Sequence, residues 1–264
     1  MAAQDVACRV LGVDSHPLPY YTLALEAPSE FPPVAPGQFV MALADPGHDP
    51  YLRRAFSVFD VSRGGATTRL ELLGKVIGGG TARLAGRRTG ETVRVLGPLG
   101  RGFRGPATGR AALVAGGVGS AALLLLARAL LQAGGVFDVL YGGRAARDLA
   151  RSERFAALAG DSGGELLAVT EDGSRGRPGL VTEALEEGLA AGRWQSLYTC
   201  GPTPMMARVA ALAARYGVSG QAALETPMGC GYGACLGCAV PHRDDRFALC
   251  CQDGPVFDFD EVRW

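Results

Sequence analysis

The residues with the clearest chemistry lie near the C-terminus. Cys230, Cys235 and Cys238 are spaced C-x4-C-x2-C, and the adjacent pair Cys250–Cys251 follows further on. Three thiolates at this spacing with a fourth downstream give the ligand order of a plant-type [2Fe–2S] cluster, a group that moves electrons one at a time. The surrounding run, Met228-Gly229-Cys230-Gly231-Tyr232-Gly233-Ala234-Cys235-Leu236-Gly237-Cys238, is mostly small residues. They let the main chain wrap closely, so its N–H groups can reach the sulfurs. Zinc is the main rival, since Cys235 and Cys238 form a C-x2-C pair. Zinc knuckles use two such pairs, whereas the first gap here is four residues in a glycine-rich turn, so the spacing favours iron and sulfide. Neighbours in extended chain point opposite ways, so one of Cys250 and Cys251 should be the fourth ligand; spacing does not choose between them. Cys8 and Cys200 are remote in sequence and read as small buried side chains.

A second constellation suits phosphates. Gly116-Gly117-Val118-Gly119 follows an apolar strand and opens a helix, where glycines permit close backbone approach and free N–H groups favour an anion. It falls short of the full G-x-G-x-x-G fingerprint, so a plain tight turn is the competing reading. Thr199-Cys200-Gly201-Pro202 repeats the strand-to-helix context and could form the other wall of a dinucleotide cleft. Nearer the N-terminus, Arg53-Arg54-Ala55-Phe56-Ser57 combines a cation, an aromatic ring and a hydroxyl on one expected strand. Arginine can clamp a pyrophosphate through two donors. The turn Gly78-Gly79-Gly80-Thr81, leading into a short helix, is a further anion candidate. Arg144 and Arg147, and the turn Glu171-Asp172-Gly173, are candidate cofactor-edge residues whose alternative is solvated surface. The three histidines, His16, His48 and His242, lie in no hydrolytic pattern.

These residues need elements to hold them. Before Gly105-Pro106 the chain reads as short strands near Cys8–Val13, Tyr21–Glu26, Gln38–Leu43, Phe56–Val61, Thr68–Val76 and Thr92–Leu96, with a helix about Thr81–Arg87. This is the pattern of an antiparallel barrel or sandwich. Beyond it, strands near Ala111–Ala115, Val136–Tyr141, Glu165–Val169, Ser196–Thr199 and Gln221–Leu224 alternate with helices near Ala121–Gln132, Ala146–Leu158, Leu180–Leu189 and Pro204–Tyr216. Thr203 is the expected N-cap of the last helix. Such alternation predicts a doubly wound parallel sheet with ligands at its C-terminal strand ends. The expected division is residues 1–105, 106–222 and a cysteine-bearing unit at 223–264.

Composition narrows the function classes. Lys plus Arg and Asp plus Glu are 26 each, so no charge excess points to nucleic acid or an acidic membrane. Residues 111–127 carry no charge, but a spanning helix needs about twenty apolar residues, and glycines interrupt this run. Met1-Ala2-Ala3-Gln4-Asp5-Val6 has neither a basic n-region nor an apolar h-region, which with thiolate ligands predicts the cytosol and argues against disulfides.

In this order the motifs resemble the ferredoxin–NAD(P)+ reductase superfamily: Arg54-Ala55-Phe56-Ser57 matches its R-x-[YF]-S flavin motif. Val76–Thr81 and Gly97-Pro98-Leu99-Gly100 resemble its flavin loops, and Gly116–Gly119 with Cys200-Gly201-Pro202 its nicotinamide signatures. The tail, with Leu224-Glu225, the cysteine run and Cys251-Gln252-Asp253-Gly254-Pro255-Val256-Phe257, is similar to the family of dihydroorotate dehydrogenase B electron transfer subunits. Ala55, where that family often has proline, and the Gly78–Gly80 loop are departures. The resemblance implies an antiparallel flavin-binding β-barrel, a doubly wound α/β nucleotide domain and a small [2Fe–2S] subdomain. It implies FAD held by Arg54, Ala55, Phe56, Ser57, Leu73, Gly74, Lys75, Gly80 and Thr81, and NAD held by Gly116, Gly117, Gly119, Cys200, Gly201 and Pro202. It nominates Cys251, with Cys230, Cys235 and Cys238, as cluster ligand. It further implies an FMN-containing catalytic partner in a heterotetramer of two of each, and a place in pyrimidine biosynthesis. A reductase component serving a ferredoxin, hydrogenase or oxygenase, and a non-catalytic redox sensor, are the competing functions.

Overall fold

The computed structural model describes residues 3–45, 47, 49–104 and 109–264, so the expected boundary at Gly105-Pro106 and His48 lie outside the described residues. Strands β1 (Gln4–Ser15), β2 (Tyr20–Pro28), β3 (Phe39–Ala42), β4 (Arg54–Ser57), β5 (Asp60–Gly64), β6 (Thr67–Lys75) and β7 (Thr92–Leu99) form one antiparallel sheet ordered β4-β3-β7-β1-β2-β6-β5. Its edges β4 and β5 are consecutive in sequence. Between them Val58 N–H donates to Gln38 C=O at 3.0 Å and Phe59 N–H to Glu71 C=O at 2.9 Å. The two residues thus bridge opposite edges and draw the sheet into a barrel. For the same reason the single strand expected over Phe56–Val61 is two strands. Cys8, Val10, Tyr21, Leu23, Leu25, Leu70 and Leu72 fill the interior, and the short helix α1 (Gly79–Ala85) follows β6.

The second sheet contains β8 (Ala111–Gly116), β9 (Phe137–Gly143), β10 (Leu166–Thr170), β11 (Arg177–Pro178), β12 (Ser196–Cys200) and β13 (Ser219–Ala223). A small hairpin, β14 (Ala239–Pro241) with β15 (Phe247–Leu249), precedes the last strand β16 (Val256–Asp258). The large sheet runs β11-β10-β9-β8-β12-β13-β16, parallel except for β16, which pairs antiparallel with β13. Helices α2 (Leu124–Gln132) and α3 (Ser152–Asp161) pack in one apolar cluster, while α4 (Val181–Ala190) and α5 (Thr203–Tyr216) pack in another. Strand order reverses between β8 and β12, which opens a crevice at their C-terminal ends.

Local geometry shifts several expected helix starts. A 3-10 turn over Gly117–Ala122 precedes α2, which begins at Leu124. The helix expected from Ala146 is a 3-10 turn over Ala146–Asp148 followed by α3, because Arg151 at φ 60° is left-handed and interrupts the coil. Thr203 is the first residue of α5 and Pro202 occupies the cap position. The tail is not free-standing, since β16 joins the nucleotide-type sheet.

The units share packed interiors. Tyr20, Phe59 and Leu73 of the barrel lie in one cluster with Leu126, Tyr141 and Phe155, and Phe39, Met41 and Leu99 pack with Leu224, Cys238 and Phe257. β2 is therefore buried on both faces along much of its length.

Candidate functional site

At the reversal of strand order the two glycine turns interlock. A Cβ on Gly119 would stand 2.6 Å from both the Cys200 carbonyl oxygen and the Gly201 nitrogen, and one on Gly116 2.7 Å from Pro202 Cδ. Pairing of Cys200 with Ala115 sets this register. Beside them lies a cavity of about 750 Å³, lined by Gly116–Gly119, Gly201, Pro202 and Glu225, and by Tyr20 and Lys75 reaching in from the barrel. Its volume suits an extended cofactor. Gly116, Gly117, Gly119, Gly201 and Pro202 thus meet at one crevice, with Cys200 just beneath.

Cys200 Sγ donates to Glu225 Oε1 at 3.8 Å. Burial, then the nearby Glu225 carboxylate, pushes the Cys200 thiol well up. Burial also raises the Glu225 carboxyl, partly offset by the Cys200 hydrogen bond. Cys200 is therefore a neutral buried thiol in the cleft wall. Arg144 and Glu171 line the same cavity, whereas Asp172 is engaged by Ser174. Arg147 and Gly173 are absent from the cavity lining.

On the barrel, Phe56 enters the core while Ala55 is exposed and Ser57 half-buried. The Arg54 side chain lies across α1: a Cβ on Gly80 would meet its Nε at 2.4 Å. Thr81 Oγ1 accepts from the Ile77 and Gly78 N–H groups at 2.9 and 3.2 Å, holding the turn closed. Gly74 is required by the ring of Tyr21, 2.5 Å from where its Cβ would be. Leu73 is buried in the core shared with the second sheet, and Lys75 points into the cavity. The structure therefore divides the expected flavin residues: Arg54 lies over the buried Gly80 of α1, next to the buried Thr81, while Lys75 stands at the nucleotide crevice. A bare glycine under a guanidinium, at the start of a helix, is a cradle suited to a flavin phosphate.

The cysteine loop rests on this barrel. Gly231 (φ +83°) would place a Cβ 2.5 Å from Met41 Cγ, and Met41 pairs with Ala55 of β4. Cys238 Sγ is 3.2 Å from Cys251 Sγ, and Cys230 Sγ takes the N–H groups of Tyr232 and Cys235 at 3.5 and 3.4 Å. Cys251 Sγ accepts from Gly233 N–H at 3.1 Å and Cys238 Sγ from Cys251 N–H at 3.4 Å. Burial raises Cys230, but the N–H groups of Tyr232 and Cys235 outweigh it, and its thiol is lowered to about 6. N–H donors aimed at sulfur stabilise thiolates that would ligate iron, so the residues fit a [2Fe–2S] cluster. Cys250 turns the other way: its Sγ donates to Leu224 C=O at 3.4 Å. Cys8 is sealed in the barrel core.

Some site-supporting residues carried no local signal. Tyr20 OH donates to Asp148 Oδ1 at 2.7 Å, and Arg154 joins Glu71 and Asp60 across the seam between the units. These partners are far apart in sequence, so only the fold reveals them.

A flavin-type barrel, a doubly wound nucleotide domain and a thiolate-rich tail define a flavin- and iron–sulfur-dependent NAD oxidoreductase subunit. Residues 113–211 match the oxidoreductase NAD-binding domain, and residues 225–263 the iron–sulfur cluster binding domain of dihydroorotate dehydrogenase B. The chain is 36% identical over 248 residues to the dihydroorotate dehydrogenase B (NAD(+)) electron transfer subunit of Desulforamulus reducens, covering 92% of each. It is 40% identical over 235 residues to that of Geobacillus kaustophilus, covering 86% of each. The solved structure of an NADH-dependent reduced ferredoxin–NADP oxidoreductase superposes with a TM-score of 0.85 at 29% identity, covering 97% of this chain and 90% of that one. The chain belongs to the family of dihydroorotate dehydrogenase B electron transfer subunits.

Proposed function

We propose that this chain carries electrons from a dihydroorotate-oxidising catalytic subunit, itself holding FMN, to NAD+ in pyrimidine biosynthesis. The assembly would be a cytosolic heterotetramer with two copies of each subunit. The observation that supports this reading most is the contact between the cysteine loop and the barrel strand beside Arg54–Ser57, within a family member whose nucleotide crevice adjoins the same barrel. When bound, the cluster supplies one-electron steps, and FAD converts these to the two-electron exchange that a nicotinamide requires.

The chain's own residues bind and orient. Cys230, Cys235, Cys238 and Cys251 would hold the cluster; Arg54, Ser57, Gly80 and Thr81 would hold the flavin; the turns at Gly116–Gly119 and Cys200–Pro202 would hold the dinucleotide. Cys200, kept neutral, offers an uncharged wall. Among the described residues no helix is long and apolar enough to cross a membrane.

The test mixes the cofactor-loaded chain with an FMN-containing dihydroorotate dehydrogenase subunit and follows dihydroorotate-dependent NAD+ reduction. Reduction that needs both proteins supports the proposal. A stable 1:1 complex with no such reduction, or NADH-driven reduction of ferredoxin with no response to dihydroorotate, would overturn it.

A further inference from the structure

Strand β3 is buried along its whole length, and its two faces serve different cores. Val40 and Ala42 point into the barrel interior with Phe56, while Phe39 and Met41 pack with Leu99, Cys238, Cys250 and Cys251. The strand is thus a wall shared by the barrel and the cysteine unit. Pairing with β4 sets what lies beside it: Met41 stands opposite Ala55 and Phe39 opposite Ser57. Directly paired residues share a face of the sheet. Ala55 and Ser57 of the flavin motif are therefore on the side that meets the cysteines, whereas Phe56 turns inward.

Met41 is where this wall touches the ligand loop. Its side chain is fully buried and meets Gly231, the residue between Cys230 and Tyr232. Gly231 has φ +83°, and a Cβ there would stand 2.5 Å from Met41 Cγ, 3.0 Å from its Sδ and 3.3 Å from Leu99 Cδ1. The loop backbone is therefore seated on the thioether with no side chain between. The ladder with β7 slips between Phe39 and Met41, an irregularity of the kind that re-aims a side chain. An unbranched thioether fills such an uneven gap, and in a close-packed interior it has no room to swing aside.

We infer that Met41 is the spacer that fixes how far the cluster loop stands from the flavin face of the barrel, and so sets the rate of electron passage between them. It is a positioning residue, acting through the loop it supports. The inference rests on the flavin and cluster placement proposed above and deepens it. Shortening the side chain leaves a void that the loop enters only in part, so the separation is no longer fixed. A methyl added at Gly231 drives the loop outward.

The experiment uses the FAD- and cluster-loaded chain, reduced anaerobically by NADH in a stopped-flow. The hydride brings two electrons to FAD; one then passes to the cluster and the other stays on the flavin. Flavin absorbance reads the first phase and freeze-quench EPR of the cluster the second. Met41→Ala should slow the second phase about tenfold, the scale of loss when support around a metal site is removed. The first phase and the cluster's midpoint potential should match wild type, and the volume-conserving Met41→Leu should restore the rate. Gly231→Ala should also slow the second phase, and adding Met41→Ala to it should speed transfer again, because the deleted side chain vacates the space the methyl needs. A merely structural residue would not give that reciprocal rescue. If Met41→Ala does not hold its cluster, Met41→Val carries the same test. Iron lost from both variants, a second phase at the wild-type rate, equal slowing of both phases, or a double variant no faster than Gly231→Ala would overturn the assignment while leaving the electron relay intact. A wild-type chain whose flavin is reduced by NADH while its cluster never follows would sink the relay itself.

Discussion

Arg154→Ala tests whether the barrel and the nucleotide domain are held in register by charge. The guanidinium donates to Glu71 Oε2 at 2.7 Å and to Asp60 Oδ2, and its Cζ is 5.1 Å from the centroid of the Phe59 ring. A hydrogen bond to a charged group contributes about 1.5–3 kcal/mol, and a partly exposed cation–π contact about 0.5–1 kcal/mol. The carboxylates are not orphaned by the change. Arg128 stays 2.7 Å from Asp60 Oδ1 and Arg69 3.0 Å from Glu71 Oε1. With both carboxylates still paired, the net loss falls below the sum of these contacts, to about 2–3 kcal/mol. In a chain of this size each kcal/mol moves Tm by about 2–4 °C, so a fall of about 5–10 °C is expected in differential scanning calorimetry. Because Lys75 and Tyr20 line the nucleotide crevice with Gly117 across this seam, KM for NADH should rise several-fold while FAD stays on the barrel. A Tm within about 2 °C of wild type, with KM unchanged, would refute the idea that this charge cluster sets the alignment.

Four further substitutions follow from the geometry. Cys251→Ala should abolish the visible absorption and bound iron of the cluster, whereas Cys250→Ala should keep both and lose only about 1 kcal/mol of stability; iron and sulfide analysis decides, and the reverse pattern would reassign the ligand. Gly119→Ala drives a Cβ to 2.6 Å from the Cys200 carbonyl oxygen and the Gly201 nitrogen, so the turns must part, and NADH–dye activity should fall by about a hundredfold with the cluster spectrum intact. Asp138 accepts from Arg110, Arg193 and Trp194, and although burial pushes its carboxyl up, these donors lower it from 3.8 to about 2. A depressed carboxylate contributes stability that is complete above its unfolded value near 3.8 and is lost as pH falls through about 2. That contribution is about 2–3 kcal/mol at neutral pH. Asp138→Asn should remove it, with Tm lowered at pH 7 and the gap to wild type narrowing below pH 4; a gap that widens on acidification contradicts the sign.

Periodicity and short spacing made much of this legible. The glycine turn after β8 and the cysteine run are local patterns, and alternating apolar strands and helices announced the doubly wound sheet before any contact was known. What stayed hidden depends on partners distant in the chain. Nothing near Phe56–Val61 signals that Val58 and Phe59 bond to Gln38 and Glu71, nor does any short motif announce that Val256–Asp258 will pair with β13. The choice between Cys250 and Cys251 was silent in their spacing, because it is made by the carbonyl of Leu224, 26 residues before Cys250. Lys75 was legible as a residue of the flavin loop, yet its direction depends on pairing with Tyr20 and on the seam itself.

The pairing of β16 with β13 has a consequence for how the molecule behaves among its copies. A parallel sheet that ended at β13 would leave a bare row of amide and carbonyl groups, an invitation for another chain to add on. Here the tail that carries the redox thiols covers that row, and the opposite margin is the two-residue β11. Shielding against misassembly and anchorage of the metal-binding loop are thus performed by one stretch of polypeptide, so a truncation that strips the sulfur ligands also uncovers the sheet and should send the remainder toward aggregation.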